Sequence, residues 1–187
     1  MLKAALLIAL TLVQPALAAP QIYRMDPDAS TVAFETDFGP DLITGSIPLQ
    51  TADLSLDFDD VRNSSVAVAL DVTGAKASFP FAAQALKGPK VLDAKTHPSM
   101  TFESTSVRRT DTGADITGNI TIRGVTRPIT LKATLSRPQG SDADDLSRLT
   151  LRLTGAVKRS DFGATGWADM VGDQVRILIT ARIDAER

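Results

Sequence analysis

The feature that most constrains this chain is a hydrophobic period of two. Between Gln174 and Ile183 one face carries Val175, Ile177, Ile179, Ala181 and Ile183, and on the other only Leu178 interrupts the polar residues. Leu149, Leu151, Leu153 and Val157 alternate with Arg148, Thr150, Arg152 and Thr154. The same spacing runs through Val66, Val68, Leu70 and Val72, through Ile116, Ile120 and Ile122, and through Ile129, Leu131 and Leu135. Earlier runs are Val32, Phe34 and Phe38, then Leu54, Leu56 and Phe58. Side chains alternate across a strand, so each run has one dry and one wet face. Antiparallel sheets give that signature, whereas buried parallel strands read as unbroken apolar runs.

Turn chemistry separates the runs at Gly39-Pro40-Asp41, Asp111-Thr112-Gly113, Gly124 to Pro128 and Arg137 to Asp145. The pattern predicts strands near 30–38, 42–49, 52–58, 65–73, 99–109, 114–123, 127–136, 147–157 and 174–184, some of which merge into a barrel or sandwich of about eight strands. Residues 78–96 lack the alternation. Phe81 to Lys87 is helix-compatible and Gly88-Pro89 stops it, so a short helical excursion is expected near 78–92. It has two readings, a plain connection or a lid over one barrel mouth.

The first eighteen residues do not belong to this pattern. Met1-Leu2-Lys3 is a short positive start, Ala4 to Val13 is apolar apart from Thr11, and Ala16-Leu17-Ala18 supplies small residues for cleavage. The run is short of the roughly 20 residues that span a bilayer. A secretory signal cut after Ala18 is therefore expected, leaving residues 19–187 as one exported domain, periplasmic or secreted. Cleavage removes Lys3 from 20 basic residues and nothing from 22 acidic ones, so the mature balance gives no electrostatic reason to bind nucleic acid or an anionic surface. No later stretch reads as a transmembrane helix. Cysteine is absent and His97 is the sole histidine, which closes thiolate, iron–sulfur and His-rich metal chemistry within one chain. The sequence leaves the oligomeric state open, a homodimer included.

Four stretches carry a family resemblance. They are Tyr23-Arg24-Met25-Asp26 with Ser30 to Phe34 and Gly45; Leu92 to Ser104; Gly118 to Ile129; and Arg159-Ser160-Asp161-Phe162-Gly163 with Val171 to Val175. In this order they resemble the YceI-like family, over roughly residues 22–183. The resemblance implies a lipocalin-like barrel that binds a polyisoprenoid. Where that family often has aromatic residues before the aspartate of the second stretch, Val91 and Leu92 stand here, which implies a reshaped pocket. The third and fourth stretches read as structural: Gly124 suits a positive φ, Pro128 the first residue of a strand, and Asp161 a corner acceptor of hydrogen bonds.

An eight-stranded barrel is just wide enough to be filled by its own side chains or to hold one small ligand. The inward face is aliphatic, with small positions at Gly118, Ala133, Gly155 and Ala181 that read either as a channel or as tapered packing. Candidate ligand-lining residues are Phe34 and Leu70, then Phe81 and Leu86 of the helical excursion, then Phe102 and Ile120. Further candidates are Leu131, Ala133, Leu151 and Leu153, and finally Trp167, Ile177 and Ile179. At about −0.3 kcal/mol per heavy atom a forty-carbon chain reaches roughly −12 kcal/mol. The expected ligand is a polyisoprenoid, an isoprenoid quinone tail or a similar long apolar lipid, bound without chemistry and with no cofactor or metal. The competing reading is a solid-core β protein serving as a protein-interaction or stress-response module.

Enzymatic readings are weaker. His97 precedes Pro98 and has no serine in a nucleophile pattern beside it. Asp57, Asp59 and Asp60, and Asp142, Asp144 and Asp145, lack the glycine and terminal glutamate of an EF-hand loop and read as solvated turns. Trp167, the sole tryptophan, either lines the mouth or covers the barrel.

Overall fold

The structure is a computed structural model that describes residues 19–186; the expected signal segment falls outside the described residues. Eleven strands appear in chain order: β1 (Gln21–Met25), β2 (Thr31–Phe38), β3 (Asp41–Ser46), β4 (Leu49–Leu56), β5 (Ser65–Asp71), β6 (Lys76–Ala77), β7 (Ser99–Thr110), β8 (Gly113–Ile122), β9 (Val125–Ser136), β10 (Arg148–Lys158) and β11 (Val171–Ala185). One helix, α1 (Pro80–Lys87), lies between β6 and β7.

Eight strands close an antiparallel barrel in the order β1-β4-β5-β7-β8-β9-β10-β11, with β1 pairing both β4 and β11. The long β11 also carries a branch, β2-β3-β6. It can serve two neighbours because its residues divide: Val175–Thr180 pair with Thr36–Thr31 of β2, while Ile183–Ala185 pair with Met25–Tyr23 of β1. The expected lipocalin-like barrel is thus observed, with two strands beyond the nine segments read from the pattern. β1 has only two inward residues, Tyr23 and Met25, and β6 is two residues long. Neither is long enough to display a period.

Three local corrections have simple causes. β11 begins at Val171, ahead of the expected 174, because a bulge between Val171 and Val175 hides its alternation. The β8–β9 reversal is Arg123-Gly124, both at positive φ (51° and 72°), a two-residue hairpin connection. Pro128 is consequently the fourth residue of β9. It is tolerated because β10 pairs with β9 only from Lys132 onward, so no neighbour on that side needs its N–H.

The barrel is packed solid at one end. Tyr23, Met25, Leu54, Leu56, Leu149, Ala181 and Ile183 form a separate cluster there, with Leu149 and Ile183 fully buried. Tyr23 meets Phe58 edge-to-face (ring centroids 5.9 Å apart, 88°) and donates its hydroxyl to the Leu146 carbonyl (2.9 Å). Burial pushes the phenol's pKa up. The other core cluster lines the remaining barrel length.

Turn aspartates anchor the periphery. The Asp57 carboxylate accepts from the Asn63 amide (2.9 Å) and from the backbone N–H groups of Asp59 (3.0 Å) and Asp60 (2.8 Å). Asp60 instead pairs with Arg62 (2.7 Å). Hydrogen bonds lower the pKa of Asp57 (Asn63 foremost), Asp71 (the Thr73 hydroxyl foremost) and Asp173 (the Ser160 hydroxyl foremost). A carboxyl whose pKa is depressed on folding stabilises the protein above its unfolded value, about 3.9, and that stability is lost as the pH falls toward the folded value. The melting temperature is therefore expected to hold between pH 7 and 5 and to drop below about pH 4. Asp57→Asn should blunt the drop. Melting curves from pH 7 to 2 that are flat, or identical for the two proteins, would contradict this.

Candidate functional site: an apolar cavity beneath an aromatic rim

Above the solid end the barrel is hollow. A cavity of about 640 Å³ occupies the interior, within the range of natural ligand sites. Its floor is Met25, Leu54 and Leu56, shared with the closed-end cluster. The core is therefore not the solid one that the competing reading required.

Twelve of the thirteen expected lining residues stand on the cavity wall. β2 contributes Phe34, β5 Leu70, β7 Phe102 and β8 Ile120. Leu131 of β9, Leu151 and Leu153 of β10, and Ile177 and Ile179 of β11 follow. Phe81, Leu86 and Trp167 stand at the mouth. Ala133 is the exception: it is buried in the core but absent from the wall.

Gly118 and Gly155 are absent from the wall too, and the reason is geometric. A β-carbon on Gly118 would lie 2.6 Å from the Phe102 ring, and one on Gly155 2.6 Å from a Leu131 methyl. Large neighbours already fill those gaps. Of the four small positions only Ala181 faces the hollow.

Polar residues on the wall are Thr36, Thr101 and Arg159. Thr36 is buried, and its hydroxyl lies within hydrogen-bond distance of the Gly172 and Gln174 carbonyls (3.1 and 3.0 Å) beside the β11 bulge. Arg159, 8% exposed, was missed from the sequence. It donates from Nε to Gly172 O (3.0 Å), from Nη1 to Ala164 O (2.6 Å) and Gly166 O (2.8 Å), and from Nη2 to Val171 O (2.9 Å). Among the described residues no carboxylate pairs with it. Asp161, expected as the corner acceptor, is exposed. Asp173 takes that role, accepting from the Ser160 N–H (2.9 Å) and hydroxyl (2.8 Å).

These contacts assemble a cap. The segment after α1 and the loop 163–170 meet where Gly166 N–H donates to Lys90 O (2.8 Å). Arg159 holds the loop, and Arg123, from the β8–β9 turn, holds the other segment by donating to Pro89 O (2.8 Å) and Val91 O (2.6 Å). Within residues 78–96, Phe79, Phe81, Ala82, Ala85 and Leu86 thus stand on the cavity wall. Val91 and Leu92, where the family often has aromatics, line the cavity. Trp167 adopts φ 53°, the left-handed region that a bulky residue rarely visits and that costs on the order of 1–3 kcal/mol. Its carbonyl accepts from Met170 N–H (3.0 Å) and Val171 N–H (2.8 Å), closing the turn. His97 sits half-buried over Gly124, outside the cavity wall. Among the described residues no three His, Asp or Glu side chains converge as a metal site.

A family-wide sequence model described as the YceI-like domain matches residues 23–183. The chain belongs to the YceI-like family. A relative named Protein YceI from Salmonella arizonae is 36% identical over 95 residues, 51% of this chain and 49% of the relative; the match thus spans about half the length of the curated relatives. Solved structures share the fold. BcnA of Burkholderia cenocepacia superposes with TM-score 0.74 at 22% identity, covering 85% of this chain and 99% of that one. The Campylobacter jejuni YceI protein gives 0.62 at 21%, covering 100% and 99%. A polyisoprenoid binding domain from Saccharophagus degradans, implicated in plant cell wall breakdown, gives 0.61 at 12%, covering 89% and 99%.

Proposed function

We propose that this YceI-like protein is a non-enzymatic carrier or buffer of an isoprenoid or similar long-chain lipid, acting in the periplasm or outside the cell. The observation that carries the proposal is the cavity, about 640 Å³ in volume and apolar on every wall except at three residues. Two of those, Thr36 and Arg159, spend their donors on backbone carbonyls. A sugar or nucleotide would lose its hydration there with little in return, whereas an apolar chain loses nothing. Apolar cavities of this kind stay dry and accept hydrocarbon. The polyisoprenoid-binding neighbour of the same fold supports the class of ligand.

Volume refines the expectation. At ~30 Å³ per heavy atom the hollow takes about 20 atoms, or four isoprene units. Interior contact then supplies about −6 kcal/mol, half of what a forty-carbon chain would gain if wholly enclosed. A longer chain must leave part of itself at the mouth. Native mass spectrometry of protein soaked with a twenty-carbon prenyl alcohol is expected to show one bound molecule. Ile177→Trp, which places an indole in the hollow, should weaken binding at least tenfold with the β-sheet circular dichroism unchanged. If neither freshly purified nor soaked protein carries extra mass, the carrier reading is lost. Organic extraction of purified protein would identify the natural lipid.

A further inference from the structure

Seven large apolar side chains are exposed among the described residues, and four of them, Phe79, Phe81, Trp167 and Met170, also line the cavity. Phe81 is 86% exposed, Met170 49%, Phe79 46% and Trp167 43%. They come from two segments joined at the mouth, the start of α1 and the loop 163–170. A third chain segment abuts them, since Gly39 N–H of the β2–β3 turn donates to Met170 O. Outer patch and inner wall are therefore one continuous apolar surface.

We propose that this rim docks on a phospholipid bilayer, inserting Phe81, Trp167 and Met170 so that the cavity opens directly into the acyl region. The inference rests on the lipid-carrier reading and adds to it the place where cargo is exchanged. Aromatic side chains suit the headgroup level, and shallow insertion of an apolar face is how proteins lie on membranes without spanning them. Among the described residues no helix is long and apolar enough to cross. A protein docked on the rim would seal the cavity, whereas a bilayer continues its apolar interior. Lys90, which lies against Gly166 of the rim loop, is in no ion pair among the described residues and is available to phosphate groups. Asp169, between Trp167 and Met170 in sequence, opposes it, so apolar insertion is the main attraction. The left-handed backbone at Trp167 lies in the loop that Arg159 holds through Ala164, Gly166 and Val171, so the indole is presented from a fixed loop.

Trp167 is the sole tryptophan, so its fluorescence reports the rim alone. Vesicles of phosphatidylethanolamine and phosphatidylglycerol are expected to shift its emission to the blue, and bromines placed high on the acyl chains should quench it. Phe81→Glu and Met170→Glu should each lower vesicle partitioning at least tenfold. Loading of the twenty-carbon prenyl alcohol from methanol, with no vesicle present, is measured on the parent protein, so that the hollow is read apart from the membrane contact. Emission that ignores vesicles, or variants that partition like the parent, would overturn the inference while leaving prenyl loading as the separate test of the carrier. A blue shift that grows with protein concentration in the absence of lipid, and that the same variants abolish, would also overturn it by assigning the rim to a second copy of this chain. Rim-dependent vesicle binding without prenyl loading would instead remove the carrier and leave the membrane contact.

Discussion

Replacing Arg159 with leucine is expected to destabilise the protein by about 3 kcal/mol and to lower its melting temperature by about 6–12 °C. The guanidinium is buried and donates to four carbonyls, those of Ala164, Gly166, Val171 and Gly172. Each would lose a charge-assisted bond, worth ~1.5–3 kcal/mol where no water substitutes. The figure is kept below the sum because residues 171 and 172 are only half-buried and water can reach them. Arg159→Lys is expected to fare little better, since an ammonium has three donors on one atom and cannot span acceptors that a planar fork holds apart. Differential scanning calorimetry of the two variants decides the matter: a drop of under about 2 °C for either would mean the loop holds its shape without the clamp. The same variants should broaden the Trp167 emission band, because that side chain's left-handed backbone depends on the same loop.

The clamp also shows where sequence reading stops. The strands were legible because alternation is local: Val175 to Ile183 announces β11 whatever surrounds it, and the lining of β10 follows from Leu151 and Leu153 alone. The direction of an arginine is not local. Arg159 follows an alternating strand, and its inward turn depends on carbonyls of a loop and a bulge five to thirteen residues further on. The available signal was the stretch from Gly163 to Gly172, three glycines in ten residues. Such a stretch cannot pair as a regular strand and leaves acceptors for a nearby fork of donors. The hollow was legible as an apolar interior, but its position was not. Small residues read equally as channel or as tapered packing, whereas most of the space lies between medium aliphatics higher in the barrel. Whether a small residue leaves a gap depends on its diagonal neighbour across the sheet, which sequence does not reveal.

That distinction gives a paired expectation for the two strand glycines. Gly118→Ala should cost about 3 kcal/mol, at the upper end of overpacking effects, while Gly155→Ala should change stability by under about 1 kcal/mol. At Gly118 the new methyl would meet the Phe102 ring at 2.6 and 2.7 Å and, closer still, the backbone carbonyl of Glu103 on the paired strand β7. A carbonyl in a strand ladder cannot retreat without breaking the ladder. At Gly155 the near atom is the Leu131 Cδ2, at 2.6 Å, and everything else is at 3.5 Å. Leu131 stands on the cavity wall, so its side chain has empty volume to swing into. The small loss of contact there is offset by the backbone freedom that alanine removes from the unfolded chain, ~0.5–1 kcal/mol. Urea denaturation of both variants measures the contrast directly, and equal losses would mean the barrel is as tightly filled at Leu131 as at Phe102. The displaced Leu131 has a further consequence: it narrows the hollow, so Gly155→Ala should weaken prenyl alcohol binding in a protein of nearly parental stability. A stability-neutral variant with reduced binding separates the empty volume from the fold that surrounds it.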